Sequence, residues 1–444
     1  MIEEFSYLLL QGDFREKMKA NQMFNRWFNL IALLLTAWLL VVGCQHSIPR
    51  TLETEKVIVK LSGWGASPVE QRLLNQVLRD FEKIHPTIKV QFEVIADQYM
   101  DVIKTRLIGE AAPDVFYLDA LEAPFLIQQN VLEPLDFYIT PSFDLSDFEK
   151  NLLQPFTTQN QIYGLPKDYS TLALFYNKQA FAKAGLNHPP KTWQELLIIS
   201  KQLTIDQDKD GKPDQYGFGV NPELARQAHA IRAMGGQVVD GNGYATFAAE
   251  AALKGLTLAV EQYQHERTSA LPLDVGTNNG SEMFGQGKAA MVAEGNWAIP
   301  YLEETFPDLD FATAELPQIN GKPGTMVYTV AYVMNQQSKH KREAWELIAY
   351  LTGKEGMEKW TSTGFALPSR KSVAEKLKYD RDALRAPLVA GVSYAMPWQI
   401  GQYPTAIANS FNNQYISTLL GQQPLQKAMI QAQESANRQI KAAQ

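Results

Sequence analysis

From residue 57 onward the chain alternates between short apolar runs and longer stretches whose apolar residues recur every three or four positions. Val57-Ile58-Val59-Lys60-Leu61 is one such run and stops at Ser62-Gly63-Trp64-Gly65. Ser67, Pro68 and Glu70 then predict a helix start, with a capping hydroxyl, a proline at the first helical position and a glutamate to complete the capping box. Leu73, Leu74, Val77, Leu78, Phe81 and Ile84 share one helical face, and His85-Pro86 ends it. Ile88, Val90, Phe92 and Val94 alternate as a half-buried strand does. Strand, helix and strand of these lengths predict a right-handed βαβ unit with parallel strands. A second helix through Met100, Ile103 and Leu107 leads to the run Val115–Leu118, with Asp119 just beyond it.

A second α/β region begins near residue 170. Leu172–Tyr176 reads as a buried strand, and helices are predicted at about 192–203, 223–234 and 248–264. Glu343–Leu351 forms another, and 405–443 is helical with a break at Gly421–Pro424. No repeat of 20–50 residues and no long linker separates the halves. The fold class is therefore α/β, with two lobes between which the chain crosses more than once.

The amino-terminal pattern differs from all of this. Trp27–Gly43 is an apolar stretch of 17 residues preceded by Arg26 and followed by Cys44. A basic flank, an apolar core and small residues before a cut form a secretory signal, and Val41-Val42-Gly43-Cys44 resembles a bacterial lipoprotein box with Cys44 as the lipidated residue. A membrane-spanning helix is the alternative, but this stretch is interrupted by Asn29 and short for a span. Residues 1–43 are thus read as a signal peptide and 44–56 as a polar, lipid-anchored tether, which puts the folded body outside the cytoplasm. Glu3, Glu4, Asp13 and Glu16 precede the basic flank, so Met23 makes the more ordinary start.

Composition narrows the function. With 41 Lys+Arg against 48 Asp+Glu and no basic tail or stripe, nucleic-acid binding by counterion release is not expected. The single cysteine removes internal disulfides and cysteine-rich zinc sites. There is no G-x-S-x-G, P-loop or H-E-x-x-H, and the histidines at 85, 188, 229, 265 and 340 are scattered. No enzyme is indicated, although a secreted glycosidase needs only two placed carboxylates.

The candidate chemistry lies at strand ends. Open α/β sheets bind ligands beyond the carboxyl ends of their strands, where Trp64 and Asp119 fall. Trp297, in Glu294-Gly295-Asn296-Trp297, and Trp398, in Ala395-Met396-Pro397-Trp398, sit on similar Gly/Pro-rich loops. Trp193, Trp345 and Trp360 lie in helical patterns and read as packing residues. Asp206-Gln207-Asp208-Lys209-Asp210-Gly211 has the D-x-D-x-D-G opening of a calcium loop, with Asp214 at the ninth position but Gly217 where the twelfth needs Glu. Structural calcium is the one cofactor the sequence suggests; a solvated polar turn is the alternative.

Several segments together resemble the bacterial sugar-type extracellular solute-binding proteins, the maltose-binding-protein-like receptors. They are Ser62–Gly65 with the following helix, Phe81–Val90, Ala112-Pro113-Asp114-Val115, Gly164-Leu165-Pro166-Lys167-Asp168 with Leu174–Lys178, Pro190–Leu196, and Phe284–Met291 running on to Gly295-Asn296-Trp297. The resemblance implies a two-lobed periplasmic-binding-protein fold, a central cleft and a hinge of crossing segments near residues 168, 312 and 367. Lobe 1 would then be 57–168 with 313–366, and lobe 2 would be 169–312 with 367–444. It places site residues at Trp64, Asp119, Asp168, Tyr169, Asn296, Trp297, Trp398 and Arg370. It also implies a monomeric receptor that hands a sugar or glycoside to the permease subunits of an ABC importer. A receptor for a quaternary amine or peptide stays open, since aromatic cages suit cations as well as sugars.

Overall fold

The computed structural model of the chain describes residues 56–65 and 68–444. The signal peptide, Cys44, the tether up to residue 55 and the Ser67 cap lie outside the described residues. β1 (Val57–Gly63), the helix Pro68–Ile84 and β2 (Ile88–Val94) form where the pattern predicts. The two strands are parallel and in register from Val57↔Ile88 to Gly63↔Val94. Such a pair needs its crossover helix laid across the sheet, and Leu74, Val77, Leu78 and Phe81 are buried there. Each apolar side chain taken out of water in this way favours folding by about 1.5–3 kcal/mol. The helix stops at His85 because Pro86 brings no N–H and disfavours a helical residue before it. β3 (Val115–Asp119) joins the other side of β1, its first four residues buried because both sheet faces are covered.

A short hairpin, β4 (Thr157–Thr158) and β5 (Gln161–Ile162), precedes the longest strand, β6 (Gly164–Asn177). β7 (Phe218–Gly219), β8 (Ser269–Ala270), β9 (Met291–Gly295), β10 (Phe311–Ala314), β11 (Met326–Met334) and β12 (Met396–Pro397) complete the set. One sheet runs through the molecule in the order β2-β1-β3-β11-β6-β9-β7-β8, with β10 paired to β6 and β12 to β11. On one side its core gathers Val59, Leu61, Phe81, Phe116, Tyr332 and Leu347. On the other lie Leu174, Phe247, Leu256, Met291, Phe411 and Met429, with a neighbouring cluster that includes Phe175, Phe284 and Leu302.

β6 and β11 each feed both sides. Leu165 and Val333 belong to the first core, Leu174 and Met326 to the second. A third passage follows Trp360, which is in the first core, and reaches Leu367, which packs on the second side. The sequence reading puts the middle passage near 312, but Phe311–Ala314 pairs with Asn177–Leu174 within the second side, and β11 makes the passage. Both strands lie along the same edge of β6, β10 beside its far half and β11 beside its near half, so only register tells them apart.

The β6–β11 ladder carries one irregularity. Pro166 lies opposite Ala331 and Asp168 opposite Val330, leaving Lys167 without a residue across from it. Pro166 cannot donate to the ladder, and a bulge is where a sheet tolerates this. A bulge also breaks the strict alternation of faces, which lets Lys167 and Asp168 reach each other.

Candidate functional site

A cleft of about 620 Å³ opens beside the crossing strands. Trp64 follows β1 directly, and Asp168, Tyr169 and Ser170 come from the middle of β6. Asn296 and Trp297 follow β9, while Phe365 and Ala366 come from the third passage. Tyr301, Tyr328, Glu70 and Lys167 complete much of the wall, and Glu304 stands at its exposed edge. The strand ends therefore bring Trp64 and Trp297 from the two sides into one space.

The two indoles are held differently. Trp64 stands edge-on to Tyr99 at 5.0 Å and to Tyr117 at 5.3 Å, which fixes it against the first core. Trp297 is 41% exposed. Its Nε1–H donates to Glu294 Oε2 at 2.9 Å, and it meets Tyr328 edge-on at 5.6 Å. One side of the ring lies on Gly295, where a Cβ would stand 2.2 Å from a ring carbon. Glycine is thus required under this platform.

Asp168 sits at the base. Its Oδ2 accepts from Lys167 Nζ and from Trp360 Nε1 at 2.9 Å. Lys167 is buried, with Nζ 3.8 Å from the Trp360 ring centroid and 5.1 Å from that of Tyr117. Asn296 is buried too; its Nδ2 donates to Gly364 O and Phe365 O, both at 2.9 Å, and its backbone N–H donates to Ser170 Oγ at 2.7 Å. It therefore ties the third passage to β6, while its buried Oδ1 has no partner.

Of the remaining expected site residues, Tyr169 is at the cleft and three, Asp119, Trp398 and Arg370, fall elsewhere. Tyr169 lines the cleft as expected, but it is only 4% exposed and packs in the cluster of Leu152, Leu367 and Leu388, where burial raises its pKa. Asp119 does not line the cleft; Oδ1 accepts from the Glu122 backbone N–H at 2.9 Å, capping the turn into the helix Ala123–Gln128. Burial pushes its carboxyl up to about 6 despite that bond. Trp398 lies in a separate hollow of about 420 Å³ with Ile231, Val238 and Met396, because β12 pairs with Met326–Val327 and anchors the Trp398 N–H on Val327 O at 2.9 Å. Arg370 is 1% exposed and is not part of the cleft at all. Its guanidinium donates to Thr352 O, Asp144 O, Phe143 O and Asp147 Oδ2, and lies over the rings of Phe143 and Phe148.

The residues missed from the sequence are Lys167 and Tyr328, which line the cleft, and Trp360 and Glu294, whose contacts hold Asp168 and Trp297. Trp360 reads as a packing residue from its helical spacing, and it is buried; nothing in that spacing shows that its N–H serves Asp168.

The aspartate loop has the chemistry of a hard-cation site in part. Asp206, Asp208 and Asp210 can each place one oxygen within 4.8 Å of the others. Asp206 Oδ2 accepts from Gly211 N at 3.0 Å, but its buried Oδ1 has no partner. Asp214 stays outside this trio, its Oδ2 taken by the Gln207 N–H at 2.8 Å. Gly217 cannot be the missing ligand residue, since a Cβ there would meet Ser200 O at 2.1 Å.

Comparison with known proteins shows the family and the fold that the chain shares. Residues 65–358 match the family described as bacterial extracellular solute-binding protein. A Brucella abortus (strain 2308) protein named as a binding protein is 27% identical over 321 residues, 71% of this chain and 77% of that protein. The multiple sugar-binding protein of Streptococcus mutans is 22% identical over 367 residues, 79% of this chain and 84% of its own. Among solved structures, an ABC substrate-binding protein from Listeria monocytogenes in complex with cycloalternan superposes with a TM-score of 0.76 at 20% identity, covering 87% of this chain and 99% of that one.

Proposed function

The chain belongs to the bacterial extracellular solute-binding protein family, and we propose that it captures a sugar of disaccharide or glycoside size and delivers it to the permease subunits of an ABC importer. The observation that carries this reading is one cleft walled by an indole from each side, Trp64 and Trp297, with the Asp168 carboxylate at its base. Its volume lies within the roughly 300–1,000 Å³ of small-molecule sites. A pyranose has apolar C–H faces and a rim of hydroxyls: the rings offer flat contact at little entropic cost, and carboxylate and amide oxygens accept from the rim. The unpartnered Oδ1 of Asn296 is one such acceptor. Because the walls come from both sides of the crossing strands, a ligand favours the closed form by its differential affinity for it.

We read the protein as a carrier and not an enzyme. Asp168 Oδ2 is already engaged by the Lys167 ammonium and the Trp360 indole N–H. The lipid anchor at Cys44, the monomeric state and the choice among maltose, trehalose, sucrose and glucosylglycerol belong to the same proposal. A thermal-shift screen of the purified protein against these sugars, choline and a tripeptide tests it. At about 100 times Kd a ligand adds about 2.7 kcal/mol, so one of the sugars raises Tm by several degrees. A shift with choline or the peptide and with none of the sugars overturns the sugar reading.

For the aspartate loop we propose a weak structural calcium, supported by three convergent carboxylates and the unpartnered oxygen of Asp206. With no twelfth-position ligand, affinity falls in the roughly 0.1–1 mM range of extracellular modules. Calcium at about 5 mM should raise the melting temperature of the wild type and leave that of Asp208→Ala unchanged. Equal behaviour of the two proteins removes the site.

A further inference from the structure

Two acids at the cleft are already matched with their own bases, one behind the Trp297 platform and one at the base. On one side Glu294, 2% exposed, shares Oε2 between the Trp297 indole N–H at 2.9 Å and Arg226 Nη2 at 3.3 Å. The Arg226 guanidinium carbon is 5.7 Å from the Trp297 ring centroid, and Nη1 also donates to Ala293 O. On the other side Asp168 is matched with Lys167, whose ammonium lies over Trp360 and Tyr117.

An aromatic face attracts a cation through its quadrupole. At Trp297 the Arg226 guanidinium already uses that field, and across the cleft the Lys167 ammonium lies beside Asp168; their like charge opposes a second cation brought by a ligand. The acids are no help to a cationic cargo, since each is occupied by its own base. Nor do the bases serve an acidic cargo, since releasing one would strand a buried carboxylate. Neutral C–H and O–H groups meet neither obstacle.

We infer that the cleft selects an uncharged polyhydroxy cargo, and that Arg226 with Glu294 sets this selectivity while positioning the Trp297 platform. The inference rests on the sugar reading and adds to it the two residues that enforce charge.

The double substitution Arg226→Met with Glu294→Gln tests it, because it removes both charges and leaves an amide oxygen for the indole N–H. Titration calorimetry uses maltose, trehalose and sucrose as neutral probes, choline as the cation and glucuronate as the anion. The wild type should bind a neutral probe at least 100-fold more tightly than choline or glucuronate. In the double variant the neutral probe's advantage over choline should shrink at least tenfold, whatever absolute affinity is lost with the less constrained Trp297 ring. A purely structural role would weaken all probes together and leave the ratio unmoved, which overturns the inference while sugar binding stands. A wild type that binds no neutral probe sinks the sugar reading and this inference with it. Should the double variant lose its cooperative melt, Glu294→Gln alone carries the measurement: it leaves the Arg226 charge unmatched, so the advantage over choline should widen and that over glucuronate should narrow, and unchanged ratios are again decisive against the inference.

Discussion

Trp297→Ala should weaken sugar binding by more than tenfold while leaving the unliganded protein's melting temperature within a few degrees of wild type. The indole is 41% exposed and faces the cleft, so its removal takes little from the core. What is lost is a flat apolar surface held ready before the ligand arrives. Covering about 80 Å² of such a ring at about 25 cal/mol per Å² is worth about 2 kcal/mol, more than a factor of ten in Kd. Its preorganisation adds to this, since Gly295 beneath, Tyr328 at the edge and Glu294 at the N–H leave the ring one orientation. Trp297→Phe, which keeps a ring but no donor for Glu294, should fall between the two. Calorimetry with the sugar that gives the largest thermal shift measures both; normal affinity in the alanine variant would take Trp297 out of the site.

Arg370→Met should cost about 3–5 kcal/mol of folding stability, the usual consequence of breaking a buried ion pair from one side. Three backbone carbonyls, of Phe143, Asp144 and Thr352, each lose a donor, and Asp147 keeps the Ser372 N–H and hydroxyl and the more distant Lys354 ammonium at 3.9 Å. Urea denaturation should show the midpoint falling with an unchanged slope, and sugar affinity of the folded variant should match wild type. The opposite pattern, intact stability with lost affinity, would return Arg370 to the binding site.

These two residues also mark where the sequence could be read and where it could not. The βαβ opening, the helix read at about 192–203 and the strand ends carrying Trp64 and Trp297 were legible, because each depends on neighbours within a few positions, as the Thr192 hydroxyl that accepts from the Glu195 N–H illustrates. Trp297 in particular follows a glycine whose purpose is local: the ring rests on it. Arg370 was misread since its partners lie more than 200 positions away or on a separate helix end, and no spacing announces them. The same holds for Asp168 with Trp360, 192 residues apart, and for Arg226 with Glu294. Asp119 shows another limit. A carboxylate after a strand can serve a ligand or its own next turn, and the turn took it. The strand reading began only at Leu172, so the irregularity upstream in β6 was not legible, and the pairing with β11 is what shows that Lys167 is the residue displaced.

The interleaving of β3, β11 and β6 has a consequence for how the polypeptide is made. β11 lies between two strands that precede it by more than 150 residues, and the first core needs Tyr332, Leu347 and Trp360 to close. A ribosome or translocation channel that has released only the leading third of the chain has therefore released no finished lobe. Folding must wait for late residues, and until then the chain stays loose enough to be threaded across a membrane.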